Sequence, residues 1–290
     1  MDSLLTTAIQ LVVDGLFTGL IFALIAVGLS LIFGVMDIVN FAHGEFLMLA
    51  MYIAFWLWSA FGLDPLFALP ISTALMAVAG VATYRILIKR ILDAPMLAQI
   101  FATFGLLVFL RSAAQFLWTA DYRMVSNPIL AGEVEVFGVF VGKPQVVAAI
   151  GALATSAFVY WLTNRTYLGI ALRATAENKT AASMMGIDAD RMYSLAWAIG
   201  SGCVGVAGAL LASYYFVFPT VGSVFVLAAF VAVALGGFGS VPGALLAGIV
   251  IGMAQVVGGF VWDPAYKLIV VLAIYLVVVF FRPRGLLGAA

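Results

Sequence analysis

The chain has 290 residues, of which 66% are hydrophobic and only 9% charged, and its formal net charge is zero. Soluble domains carry about 25% charged residues, so this balance excludes an ordinary soluble fold, and the lack of net positive charge excludes a basic footprint for nucleic acid. Apolar runs of about 20 residues recur from end to end, each long enough to cross a hydrocarbon core of about 30 Å, whereas a transmembrane barrel would show alternating segments of about 10 residues.

The expected fold is an all-α polytopic membrane protein, one domain over residues 1–290, with eight to nine transmembrane helices and some discontinuous or re-entrant pieces. The first apolar run, Ile9 to Phe33, lacks a basic n-region and a small-residue cleavage site, so it reads as a span and not a removed signal. Asp14 near its start fits an exposed interfacial carboxylate. The apolar pattern then breaks at Asp37, Asn40, His43 and Glu45. The next span, Leu47 to Phe61, is short unless part of that polar stretch itself lies at membrane depth. Irregular backbone there is tolerated only when buried in protein or facing water.

Gly62-Leu-Asp-Pro65 predicts a tight turn. Spans follow at Leu66–Ile88, ending in the cluster Arg85, Lys89 and Arg90, and at Met96–Trp118, carrying Arg111. Residues 119–143 are an outer loop whose alternation from Glu133 to Lys143, interrupted by Gly138, predicts a β-hairpin. Pro144 opens a span to Leu162, and residues 164–191 form the one long polar loop. Within it a helix is expected over Arg173–Met185, stopped by a left-handed Gly186, with Asp188 capping the next helix.

A sixth span, Met192 to Phe218, presents Ser201, Gly205, Ala209 and Ser213 at four-residue spacing, a stripe that lets another helix approach closely. Gly222 to Leu235 is apolar and leads into the glycine break Gly236, Gly237, Gly239, Gly243. Val35–Glu45 and Gly222–Gly243 are both candidates for re-entrant segments. Ala244–Val261, with a stripe at Ala244, Gly248 and Gly252, and Tyr266–Phe281 are the last spans, the second of them closed by Arg282, Pro283 and Arg284. Helix, polar break, helix occurs at Gly28–Tyr52 and again at Ala228–Gly252, a pointer to an inverted repeat. The Arg85–Arg90 cluster, the 164–191 loop and the Arg282–Arg284 tail are mutually consistent as cytoplasmic if nine segments cross, which puts the N-terminus outside.

Catalytic chemistry is poorly supplied. One histidine, one cysteine (Cys203, inside a span) and no H-E-x-x-H leave no metal or nucleophile constellation and no internal disulfide. No lysine follows P-loop glycine spacing, so ATP, if used, must be bound by another subunit. Asp37 and Glu45 are candidates for a path because a carboxylate at membrane depth is costly without a partner or water, and a place in the polar interface accounts for them equally well. Asn40 and His43 belong to the same stretch; a lone histidine near an interface is more often a hydrogen-bonded structural residue than a sensor. Snorkelling to the outer surface accounts for Arg111. Met184 and Met185 suit a docking knob, since methionine adapts to irregular grooves, or else a face resting on the membrane interface.

Four stretches together resemble a known family: Phe33–Phe46, Leu172–Asp188, the glycine-studded Gly200–Ala209, and Gly236–Gly248. They are similar to the Liv-type permeases, the membrane subunits of bacterial ABC importers for branched-chain amino acids, and closer to the shorter H-type subunit than to its M-type partner. The resemblance implies the ABC importer permease fold in the bacterial inner membrane. It also implies a second, paralogous permease subunit, two cytoplasmic ATPases that use ATP and magnesium, a periplasmic binding protein, and no cofactor on this chain. It assigns the 173–186 stretch to coupling with the ATPase, with Arg173, Glu177, Asn178, Ala181, Met184, Met185 and Gly186 as the residues involved. Asn178 stands where an acidic residue is frequent and Thr180 where an apolar one is. Relatives on this scaffold carry urea, short amides or other amino acids, which leaves the cargo open. A stand-alone secondary transporter or channel, with Asp37, His43 and Glu45 as its coupling groups, is the competing class.

Overall fold

A computed structural model describes residues 2–136, 138–282 and 285–287; Pro283 and Arg284 of the expected basic tail lie outside the described residues. Helix α1 (Asp2–Met36) is followed by an irregular stretch, 37–42, and by α2 (His43–Phe61). Gly62 in the left-handed region ends α2, as the tight turn predicts. Helix α3 (Pro65–Thr83) runs through a π-helical turn, Tyr84–Ile88, into a short α4 (Lys89–Ile91), and α5 (Met96–Trp118) returns. The predicted hairpin is present as β1 (Glu133–Val136) and β2 (Val139–Gly142), antiparallel, with Gly138 at φ 79° between them.

Helix α6 (Lys143–Arg165) leads to α7 (Tyr167–Glu177) and α8 (Lys179–Met184), and α9 (Ala189–Leu211) re-enters the bundle. Then come α10 (Val221–Gly236), α11 (Val241–Val261), a 3-10 turn at Pro264–Tyr266 and α12 (Lys267–Phe281). Among the described residues, eight helices are long and apolar enough to cross a membrane and α10 is shorter. The eight-to-nine count, with one incomplete helix, is what the apolar runs imply.

The two ends of the bundle differ in their share of basic residues. The finish of α3 meets the start of α9, where Tyr84 Oη (2.7 Å) and Lys89 Nζ (2.9 Å) both donate to Asp190. The finish of α1 meets the α10–α11 turn at Gly34 and Gly239. Arg85, Lys89, Arg90, Arg165, Arg173, Lys179, Arg191 and Arg282 therefore share one end of the bundle. The opposite end carries the hairpin, which Gln10 of α1 holds through bonds to both the Phe140 carbonyl (2.8 Å) and its N–H (2.9 Å). Asp64, Asp121, Glu133, Glu135 and Asp263 belong to this hairpin end, with Arg123, Lys143 and Lys267 as its basic residues.

Asp64 has two tasks there. It caps α3 by accepting from Leu66 N at 2.9 Å, and its other oxygen accepts from Ile129 N at 2.7 Å, fastening the outer loop. Asp64→Ala removes a helix cap and strands a partly buried N–H, so it should lower stability by about 1–2 kcal/mol. A thermal-unfolding midpoint in detergent, with limited proteolysis of residues 119–132, checks this; an unchanged midpoint and cleavage pattern would contradict it.

The sixth span is shorter than its apolar run suggests. Helix α9 ends at Leu211, and residues 212–220 fold back as turns instead of extending the helix to Phe218. Two local causes act. Pro219 disfavours helical backbone at Phe218, and Val217 exchanges both backbone bonds with Arg123 of the outer loop, at 2.8 and 2.9 Å. Ser213 thus falls beyond the helix. The rest of the stripe seats α9 on α3: Ser72 Oγ donates to the Gly205 carbonyl, and a Cβ on Gly205 would fall 2.8 Å from Thr73 Cα.

The second break of the repeat is accordingly residues 212–220, not the glycine turn 237–240, and Gly222–Gly243 is helix α10, shorter than the eight crossing helices and running from that break back to the basic end, followed by a turn. With that assignment the two halves correspond as α1, break, α2, α3 and α9, break, α10, α11. The packing is exchanged between them: α1 lies along α11, and α9 lies along α3. Where equivalent helices meet, the contacts are reciprocal. A Cβ on Gly28 would meet the Gly200 carbonyl oxygen at 2.6 Å, and one on Gly200 would meet the Gly28 oxygen at 2.7 Å. Gly44 of α2 and Gly222 of α10 stand in the same mutual relation. Contacts between equivalent helices at matching positions are what a pseudo-twofold axis relating inverted halves produces.

Candidate functional site

Two regions hold the residues singled out from sequence. The first is the α7–α8 element at the basic end. Thr166 caps α7 by accepting from Gly169 N at 3.2 Å, and α7 buries Gly169, Ala171, Leu172 and Thr175 against the bundle. The single helix expected over Arg173–Met185 is divided. Asn178 has extended backbone, with φ −157° and ψ 99°, and its Oδ1 accepts from Ala181 N at 2.9 Å, so it ends one helix and caps the next. Asparagine favours this geometry because its side chain competes with the helix for backbone donors.

Beyond the kink, Ala182 anchors α8 at 4% exposure while Met184 and Met185 each stand 81% exposed. Gly186 adopts φ 81°, the left-handed stop, and Asp188 caps α9 by accepting from Arg191 N. Glu177 and Ala181 are exposed as well, and Arg173 is exposed with Nη1 on the Asn164 side-chain oxygen at 3.2 Å. The element is a rigidly capped step that offers a methionine pair to whatever lies beyond the basic end.

The second region is the break after α1. Asp37 ends that helix in the left-handed region, at φ 55°, and is exposed at the basic end. The chain then turns back inward. His43 Nε2 donates to the Ile25 carbonyl at 3.1 Å, and Ile25 lies about 16 Å below Met36 along α1 at 1.5 Å per residue. Helix α2 therefore starts about halfway across a hydrocarbon core of about 30 Å, so the polar stretch runs from the basic end at Asp37 inward to membrane depth at His43 and Glu45. Its backbone is satisfied locally: Asn40 Oδ1 accepts from Ala42 N at 3.1 Å, and Thr103 of α5 donates to the Val39 carbonyl at 3.0 Å.

Glu45 is 1% exposed, which removes the interfacial reading, and its Oε1 accepts from Arg111 Nη2 at 2.5 Å. Arg111 is thus the counter-ion of Glu45 and does not snorkel outward. The sequence carried one signal for this: among the membrane-depth stretches these two are opposite charges, and neither is tolerable there alone. Around the pair, Asn40 Nδ2, His43 Nδ1, Glu45 Oε2 and Arg111 Nε have no hydrogen-bond partner among the described residues. The cluster thus keeps spare hydrogen-bonding capacity at the level where α2 and α10 meet. The outer part of α5 continues the contact, with Trp118 stacked on Tyr52 at 4.2 Å between centroids.

The glycine break is structural. Gly236 and Gly243 face each other so closely that neither could carry a Cβ, and Gly237 and Gly239 have φ of 97° and 80°. This hairpin-like turn returns the chain from α10 to α11, and Leu286 and Leu287 donate to the Leu235 and Gly236 carbonyls beside it. Among the described residues no group of three metal-ligating side chains occurs.

Comparison with known proteins places this architecture. A family model described as "Branched-chain amino acid transport system / permease component" matches residues 11–279. The chain is 32% identical to the high-affinity branched-chain amino acid transport system permease protein BraD of Pseudomonas aeruginosa, over 97% of this chain and 95% of that protein. It is 30% identical to the corresponding permease LivH of Escherichia coli K12, with the same coverage, and 29% identical to a probable LivH of Methanocaldococcus jannaschii over 91% of this chain and 88% of that one. With a match that spans nearly every helix described above, the chain belongs to the family of branched-chain amino acid transport permease components, as a multi-pass membrane permease subunit and not an enzyme.

Proposed function

We propose that this permease is one of two membrane subunits of an ATP-driven importer that moves branched-chain or related small amino acids inward across the cytoplasmic membrane. The basic end faces the cytoplasm, in keeping with the preference of short cytoplasmic segments for lysine and arginine, so the C-terminus is inside and the N-terminus outside. A paralogous permease lies alongside, a solute-binding protein delivers cargo at the hairpin end, and two ATPases dock at α7–α8 and use ATP with magnesium.

The observation that carries the coupling role is the α8 step, capped at both ends, with Met184 and Met185 each 81% exposed. A methionine pair adapts to a hydrophobic groove, and α7 transmits its displacement because it packs on α1, α6 and α9. Those helices include both partners of the Gly28–Gly200 contact, so a push at α8 reaches the two breaks. There Asn40, His43 and Glu45 offer exchangeable hydrogen bonds to a passing solute or its water.

Glu177→Lys reverses the charge beside the kink and should reduce ATP-dependent leucine uptake at least tenfold while the protein stays membrane-inserted. Met184→Asp with Met185→Asp should remove the ATPases from a detergent co-purification. Normal uptake by the first variant, or leucine transport by this chain alone in liposomes, would overturn the coupling reading. Urea or a short amide competing fully with leucine would move the cargo to those solutes.

A further inference from the structure

We infer that the basic end of this chain holds a binding site for a free, zwitterionic amino acid with an apolar side chain, separate from the cluster at the α1–α2 break. A cavity of about 550 Å³ opens between the end of α1, the α6–α7 junction and the α10–α11 turn. That volume lies within the range of about 300–1,000 Å³ typical of small-molecule sites.

The chemistry of its walls is selective. Asp37 brings the cavity's one carboxylate and Arg173 its one guanidinium. Neither takes part in an ion pair among the described residues, where the pairs are Lys89–Asp190, Arg111–Glu45 and Arg191–Asp188. An ammonium on Asp37 and a carboxylate on Arg173 would complete both. Arg173 suits the second task because a guanidinium fork takes a carboxylate with two parallel bonds. Its anchor to Asn164 Oδ1 uses only Nη1 and keeps the side chain at the rim. Phe33, Phe238 and Leu287 supply an apolar wall beside the charges.

A phosphoethanolamine lipid headgroup shares the paired charges but has no apolar branch for that wall, so the site is assigned to the amino acid. The site does not depend on ATPase docking at α8. It does place a ligand against α7, at Arg173 and Ala176, where occupancy would bear on movement of that helix.

The test is leucine binding to the purified full-length chain in nanodiscs of phosphatidylcholine, followed by calorimetry. Leucine should bind, while 3-methylbutylamine, which lacks the carboxylate, and 4-methylpentanoate, which lacks the ammonium, should each bind at least tenfold more weakly. Asp37→Asn, which keeps a residue type tolerant of positive φ, and Arg173→Gln should each weaken leucine binding at least tenfold without shifting the ligand-free unfolding midpoint. Three outcomes would overturn the assignment: no leucine binding to the wild-type chain, binding unchanged in both variants, or glycerophosphoethanolamine binding more tightly than leucine. The analogue series on the wild-type chain decides the matter even if a variant fails to fold.

Discussion

Arg111→Met should lower the unfolding free energy by about 3–5 kcal/mol, the range seen when one member of a buried ion pair is lost and the other stays charged. The residue left behind, Glu45, is 1% exposed, and its remaining oxygen already lacks a protein partner. Water cannot take over the hydrogen bond Arg111 supplied without entering the bundle at mid-depth. The reverse change should be milder. In Glu45→Gln the arginine keeps a long, flexible stem and a side chain 28% exposed, so it can swing toward a polar boundary. The double variant Glu45→Met/Arg111→Met replaces the pair with apolar groups of similar volume and should recover most of the loss, since such exchanges are often neutral or stabilising. Thermal unfolding of the three variants in one detergent measures the order. An Arg111→Met protein as stable as the wild type, or a double variant weaker than either single one, would show that the two side chains are not a unit.

What the sequence made legible, and what it hid, follows from how far each signal reaches along the chain. The Gly62–Pro65 turn, the Gly138 hairpin, the Gly186 stop and the Asp188 cap all depend on neighbours within a few residues, and each is where local chemistry puts it. The kink at Asn178 was misread because alanines on both sides and methionines beyond it favour helix, and only the cap on Ala181 N decides the matter. The return of 212–220 was hidden in the same way. Its composition is apolar and aromatic, yet its backbone partner is Arg123, about ninety residues upstream, a distance no local pattern spans. Arg111 illustrates a third kind of miss. On its own helix it looks like a residue reaching for an interface, and its role appears only when α5 is laid against α2. The repeat was visible as an echo of helix, break and helix, but the glycine turn at 237–240 drew attention from the break without glycine that completes it.

The largest packing effect is expected at Gly222. Valine there would drive its side chain into the Gly44 carbonyl and the Glu45 N–H, which are backbone groups of another helix and not the ends of flexible side chains. Inserting atoms into a packed core costs about 1–3 kcal/mol when neighbours can shift. Here the neighbours are the first turn of α2, held in place by the His43–Ile25 bond and the Glu45–Arg111 pair, so the cost should exceed that range. Gly222→Val is therefore expected to abolish accumulation of folded protein in the membrane. Gly44→Val should do the same, because its Cβ would meet the Gly222 carbonyl oxygen at 2.7 Å. That equivalence is the sharper part of the prediction: residues at a pseudo-twofold axis face each other, so each forbids a side chain on the other for the same reason. Gly105 in α5 is the matched control, a helical glycine with open space where its Cβ would be. Gly105→Ala removes glycine's entropic disadvantage in a helix and should leave stability unchanged or raise it by up to about 1 kcal/mol. Fluorescence-detected size-exclusion profiles of the three variants compare them directly. A monodisperse Gly222→Val protein with a normal unfolding midpoint would mean that the starts of α2 and α10 do not meet at mid-membrane, and the inverted arrangement of the two halves would fall with that contact.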